Sequence, residues 1–212
     1  MRTVVILSCL ALVFAGCKKK TDYFSFDCVV YDQKINAAVE GASVVLKAQR
    51  ADGGFNPNYD LLGSATTDSE GRFYIEVEKE VFFSYRVEVS HSQHFDGTFN
   101  INPDNVPFST AYEATFNLEP KAWVSTHLQN QNLSQTATFA VEAETNVCTG
   151  CCTGGANIIQ GTMVDSTFTC AVYGNQQVEV NGNYLDENGG VHQISETAFV
   201  QAFDTTVINI VY

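Results

Sequence analysis

The chain has 212 residues, 45% of them apolar and 12% aromatic, which is enough for one large or two small packed domains and too hydrophobic for a disordered segment. Its formal net charge of -13 argues against nucleic acid as a partner, because a strongly acidic surface repels phosphate backbones. Seven cysteines are many for this length, and the compartment decides how they are read.

The chain opens with Arg2, an apolar run from Val4 to Phe14, then Ala15, Gly16 and Cys17, and then Lys18, Lys19 and Lys20. A cationic start, a hydrophobic stretch and a small-residue cleavage site have the layout of a secretory signal. The run is about 11 residues against the roughly 20 that span hydrocarbon, so a transmembrane helix is disfavoured. A cysteine directly after Ala15-Gly16 makes the segment resemble a bacterial lipoprotein signal. That resemblance implies a signal peptide over 1–16, palmitate-type lipidation of Cys17 and a lipidated tether over 17–22. The three lysines would then lie against anionic headgroups rather than form a binding patch. The expected location is the bacterial cell envelope, membrane-anchored by lipid at the outer membrane, on its periplasmic face or the cell surface.

Beyond the tether the pattern has period 2, the mark of half-buried strands. Phe24, Phe26, Cys28 and Val30 share one face of the first strand. Phe73, Ile75 and Val77 alternate with Tyr74, Glu76 and Glu78, and Tyr85, Val87 and Val89 alternate with Arg86, Glu88 and Ser90. Thr67 to Gly71 reads as a hairpin turn whose glycine takes positive φ. Pro120, within Leu118-Glu119-Pro120-Lys121, interrupts the ladder and marks a boundary. The second block alternates again at Phe139 and Val141, at Phe168, Cys170 and Val172, and at Val178 and Val180. Asp186 to Gly190 reads as a hairpin loop, and the chain ends on a strand from Val207 to Tyr212. These elements give an all-β chain of two consecutive β-sandwich domains, over 23–119 and 120–212.

Four segments of the first domain carry a family resemblance. They are Val30-Tyr31-Asp32, Gly41-Ala42-Ser43-Val44-Val45-Leu46, Thr67-Asp68-Ser69-Glu70-Gly71-Arg72-Phe73 and Tyr85-Arg86-Val87-Glu88-Val89. The domain resembles the carboxypeptidase regulatory-like, or transthyretin-like, β-sandwich family over roughly residues 24–94. The resemblance implies an accessory, non-catalytic module on a secreted or surface protein. The family's 5-hydroxyisourate-hydrolysing branch ends in Tyr-Arg-Gly-Ser, whereas this chain ends Asn209-Ile210-Val211-Tyr212. The second domain resembles an immunoglobulin-like sandwich.

With Cys9 in the signal and Cys17 lipidated, five cysteines remain. Cys148, Cys151, Cys152 and Cys170 form the densest cluster, read as two structural disulfides in an oxidising space, one within the loop and one pinning it to the strand of Cys170. The alternative is a metal-binding or thiol-redox lipoprotein, since C-x-x-C spacing lets two sulfurs meet at one centre. Cys28, on an apolar face, reads as an inert buried thiol. His91 and His94 read as surface loop residues, and His127 and His192 as isolated. Asp52, Asn56, Asn58 and Asp60 offer oxygen ligands of the kind calcium takes, although the EF-hand pattern is absent, and no metal is expected. Phe55 and Tyr59 in that loop form a candidate contact surface. No G-x-S-x-G, S-x-x-K or H-E-x-x-H motif is present, so no enzyme and no cofactor are expected. The function read from sequence is a membrane-anchored, non-catalytic binding or structural module, with the membrane and another envelope protein as partners.

Overall fold

The computed structural model describes residues 22–51, 57–131, 136–143, 151–152 and 157–212. The first half of the chain forms β1 (Tyr23–Asp32), β2 (Ala37–Ala38), β3 (Ser43–Arg50), β4 (Asp60–Thr66), β5 (Arg72–Glu78), β6 (Phe82–Ser90), β7 (Gly97–Ile101) and β8 (Thr115–Asn117). The second half forms β9 (Lys121–Gln129), β10 (Thr136–Ala143), β11 (Asn157–Gln160), β12 (Asp165–Tyr173), β13 (Gln176–Leu185), β14 (Val191–Val200) and β15 (Thr205–Val211). Among the described residues the one helical segment is a 3-10 turn at Pro103–Asn105, capped by the Asn102 side chain. The fold is all-β, as the alternation predicts.

In the first half, β1 pairs antiparallel with β2 and β5 and parallel with β8. The facing sheet has the order β4-β3-β6-β7. The predicted inward set of β1 is buried, and Val44, Leu46, Val87 and Val89 meet it from the other sheet. Burying such side chains contributes roughly 1.5–3 kcal/mol each, so this strip is the main source of stability. The alternation of β1 does not stop at Val30. It runs on to Asp32, which is fully buried at the strand's end.

The turn at Thr67–Gly71 differs from the sequence reading. It is tight, with Asp68 Oδ1 accepting from the backbone N–H of Glu70 and Arg72, and Gly71 has φ +71°. Yet β4 pairs with β3, and β5 pairs with β1. The turn is therefore an arch carrying the chain from one sheet to the other, not a hairpin. Thr67 anchors it: its hydroxyl donates to Val39 O and accepts from Ala42 N.

In the second half, a four-stranded sheet of order β11-β10-β13-β14 faces a three-stranded sheet of order β12-β9-β15. The last strand, β15, runs parallel to β9 and ties down the chain end. Val124, Leu128, Phe139, Val180, Ile210 and Tyr212 form the centre of a second core. The hairpin loop is where the turn residues predict it: Asp186 Oδ1 accepts from Asn188 N and Gly190 N between β13 and β14.

Candidate functional site

Two places concentrate unusual chemistry. One is the junction between the two sandwiches, and the other is a cleft inside the second.

The junction is assembled from strand ends. Asp32 closes β1, and His91 and His94 follow β6. Lys121 opens β9, the 174–175 turn joins β12 to β13, and Phe203 lies in the turn before β15. Asp32 Oδ1 accepts the backbone N–H groups of Lys34 and Ile35, which leaves Oδ2 to accept from His94 Nε2, 3.0 Å away. Since Nε2 carries the proton in that bond, Nδ1 of neutral His94 is an acceptor, and His91 Nδ1 lies 2.8 Å from it. Phe203 closes the pair edge-on, its ring centroid 5.3 Å from that of His94. His94 is 3% exposed, so the expectation of two surface histidines is corrected: one is interior. Burial pushes His94 below the ordinary histidine range. Asp32 opposes the shift, whereas His91 and Lys121 add to it.

Further contacts stitch the two halves. Lys34 Nζ donates to Gly174 O, Asn175 Nδ2 donates to Lys34 O, and Lys121 N donates to Gln93 O. Phe95 meets Tyr173 edge-on at 5.1 Å, and Lys34 Nζ sits 5.2 Å above the Tyr173 ring. Lys34 also lies 3.3 Å from Glu119.

The cysteines are arranged as follows. Cys152 and Cys170 form a disulfide with Cα atoms 5.1 Å apart, and Cys151 is disulfide-bonded as well. A sulfur in a disulfide has no thiolate to offer a cation, so the four-thiolate alternative does not form in this state. Cys148 lies outside the described residues, as does Cys17. Cys28 is buried, its Sγ is 3.5 Å from Tyr112 O, and burial pushes its thiol up to about 11, which keeps it protonated and unreactive. Of the oxygen-ligand candidates, Asp52 and Asn56 fall outside the described residues, as does Phe55. Asp60 is held by Arg50 Nε at 2.9 Å. Among the described residues no group of three or more His, Cys, Asp or Glu could hold a metal ion. Tyr59 lies under the Arg86 guanidinium, 3.7 Å from its ring centroid. His127 and His192 are not isolated: they pair with Asp165 at 2.6 Å and with Asp186 at 2.9 Å.

The cleft of about 270 Å³ opens between the two sheets of the second sandwich, with β9 and β12 on one side and β10 and β13 on the other. Leu128, Phe139, Val141 and Val180 line it, and the Cys152–Cys170 disulfide forms part of its wall. Phe168 pairs across the ladder with Thr126, so both project from the same face. Phe168 is nevertheless 38% exposed and lines the cleft. Sequence alternation places Phe168 inward but carries no information on whether a facing strand reaches it.

No family model matches the chain, and no curated protein matches it. Solved structures with similar strand arrangement include a streptococcal ancillary pilin, at 14% identity and TM-score 0.37 over 91% of this chain and 63% of that one. A minor pilin of Streptococcus agalactiae gives 9% identity and TM-score 0.34 over 89% and 94%. A 9R-lipoxygenase from Cyanothece PCC8801 gives 13% and 0.34 over 45% of this chain. The chain spans 16% of that lipoxygenase and 63% of the ancillary pilin. Likenesses at this level concern architecture alone and carry no functional argument.

Proposed function

We propose that the chain is a lipid-anchored spacer of the bacterial envelope, attached through Cys17, with two β-sandwiches joined over 119–121 acting as one non-catalytic body. The observation that carries this reading is the sealed junction. Relative domain motion is the default where two domains meet through a small polar contact. Here three stitching hydrogen bonds and two aromatic pairs connect the ends of the sandwiches, and one of those pairs packs on His94, which Asp32 holds in place within the first sandwich. Such a body holds a partner at a fixed distance from its tether, which is what a structural or docking subunit requires. The transthyretin-like resemblance and the tether lysines fit the same reading.

The test uses the full chain purified from membranes. Val81 and Asn188 are exposed and lie at the ends of the two sandwiches remote from the junction. Nitroxides placed at Val81→Cys and Asn188→Cys are expected to give one narrow distance distribution, and mass spectrometry of the same protein is expected to find acylation on Cys17. A broad distribution would remove the rigid-body part of the reading, and an unmodified Cys17 the anchor part.

A further inference from the structure

We infer that two copies of this chain pair through β14, antiparallel and edge to edge about Ser195. β14 ends its sheet, hydrogen-bonded to β13 on one side and to no strand on the other. At ten residues it is the longest sheet-edge strand among the described residues, and its register against β13 is unbroken from Val191 to Val200. Proteins ordinarily blunt such an edge with short length, a bulge, charge, proline or a covering segment. Several other edges here are blunted so. β2 has two residues, β7 five and β11 four, and the pairing of β4 with β3 carries a bulge. β5 carries Arg72, Glu76 and Glu78, and Cys152 N–H caps β12 at Ala171 O. β14 has no lysine, arginine or proline, and Glu196 is its one acidic residue.

The backbone fixes how a second strand would pair. Asp186 N–H donates to Gly190 O at the hairpin, which sets the phase of the β13–β14 ladder. Even-numbered residues of β14 bond to β13, so Val191, Gln193, Ser195, Thr197 and Phe199 turn their N–H and C=O groups outward. Thr206 Oγ1 reaches this side at Phe199 O, 3.4 Å away. The outward set is symmetric about Ser195. A second β14 laid antiparallel, with Ser195 opposite Ser195, sets every outward residue against another and makes about ten backbone hydrogen bonds. A shift of two residues in either direction loses Phe199 or Val191 from the pairing.

The side chains select a second copy as the occupant. Those five residues project onto the outer face, because Ile194, Ala198 and Val200 point into the core. Val191 is 68% exposed, Phe199 54%, and Leu185, the β13 partner of Val191, 41%. In the symmetric register each Phe199 lies beside Val191 of the other copy, with Leu185 next in the row. Three exposed apolar side chains thus become one continuous row, twice per pair, and such cross-strand contacts are what stabilise a sheet. A foreign strand would need apolar residues at both of those positions, which a second β14 brings by symmetry. The one like-charge approach within the strand pair is diagonal, between the two copies of Glu196. The pairing uses neither Cys17 nor any junction residue, so it fails or stands apart from the spacer reading.

The experiment is sedimentation equilibrium of the full chain in detergent, with cysteine cross-linking to read the register. A monomer–dimer equilibrium with Kd on the order of 10 μM is expected, since an edge contact of this size retains little affinity once the ordering cost of association is met. Ser195→Pro removes an outward N–H from each copy while leaving the β13–β14 ladder intact, and Phe199→Ser removes the apolar match at an exposed position. Each should raise Kd about tenfold or more in a chain that keeps its melting temperature. Ser195→Cys should cross-link to itself, because directly opposed residues have Cα atoms about 5.5 Å apart, within disulfide range. Thr197→Cys should not, since its two copies lie about 14 Å apart, but it should cross-link when mixed with Gln193→Cys. A chain that stays monomeric at roughly 1 mM overturns the proposal. So does a dimer indifferent to both weakening variants, or self-cross-linking of Thr197→Cys as fast as that of Ser195→Cys.

Discussion

His94 is kept neutral by its surroundings, and this makes stability depend on pH. Its folded pKa lies below the ordinary value of 6.5, with burial as the largest cause. Below pH 6.5 the unfolded chain therefore takes up a proton that the folded chain refuses, so stability falls as the pH drops and levels off once the folded group also protonates. His127 works the other way, because Asp165 raises its pKa, but it is solvent-exposed and screened. The informative quantity is thus a difference between variants. Urea midpoints measured at pH 7.5 and pH 5.5 are expected to drop for the wild type and to drop by less for His94→Gln, which keeps a donor for Asp32 but cannot titrate. Equal drops would assign the slope elsewhere. The buried role of His94 was not readable from sequence, because its spacing from His91 follows a strand end, where alternation no longer reports burial. Asp32 left a usable signal: the inward phase of Phe24, Phe26, Cys28 and Val30 continues onto it. A carboxylate placed on that phase requires a buried partner.

At the scale of elements, periodicity located strands such as β1, β5 and β6 because each has one covered face, but it did not reveal which strands pair. The arch at Thr67–Gly71 shows the difference. A tight turn between two alternating segments looks the same in sequence whether those strands share a sheet or face each other. Likewise Phe168 keeps its inward phase but is exposed at the cleft, which was not visible in sequence. Position-specific demands of the arch can be separated by comparing two glycines. Gly41 and Gly71 both have positive φ, at +75° and +71°. A Cβ on Gly41 would meet nothing within 4 Å, whereas on Gly71 it would lie 2.4 Å from Val30 O. Gly41→Ala should therefore cost only backbone strain, about 1 kcal/mol. Gly71→Ala should cost more, roughly 2–4 kcal/mol, because the β1 backbone that it strikes is central to the first core and cannot shift freely. Chemical denaturation of the two variants checks the order. Equal losses would mean that the arch relaxes away from β1.

At the scale of the whole molecule, the question is whether two cores unfold as one. Three net hydrogen bonds and two aromatic pairs across the junction contribute together about 4–6 kcal/mol. That is comparable to the total stability of a domain of this size, about 5–15 kcal/mol. Loss of either sandwich therefore removes a substantial share of the other's stability, and a single cooperative transition is expected in scanning calorimetry of the intact chain. Asn175 and Phe203 are the points at which to interrupt this coupling, since each makes its contact with the first sandwich through its side chain and neither belongs to a hydrophobic core. Asn175 also accepts from Ala202 N, so Asn175→Ala loosens the two turns that face the first sandwich together. In the double variant Asn175→Ala, Phe203→Ala, the junction loses one stitching hydrogen bond and the ring that closes His94, about 2–3 kcal/mol in all. The transition should then broaden or split, with the two sandwiches melting at separate temperatures while each retains its strand signal below its own midpoint. A double variant that melts in one transition as sharp as the wild type's would show that coupling resides in the Pro120 connection itself and not in the side chains packed around it.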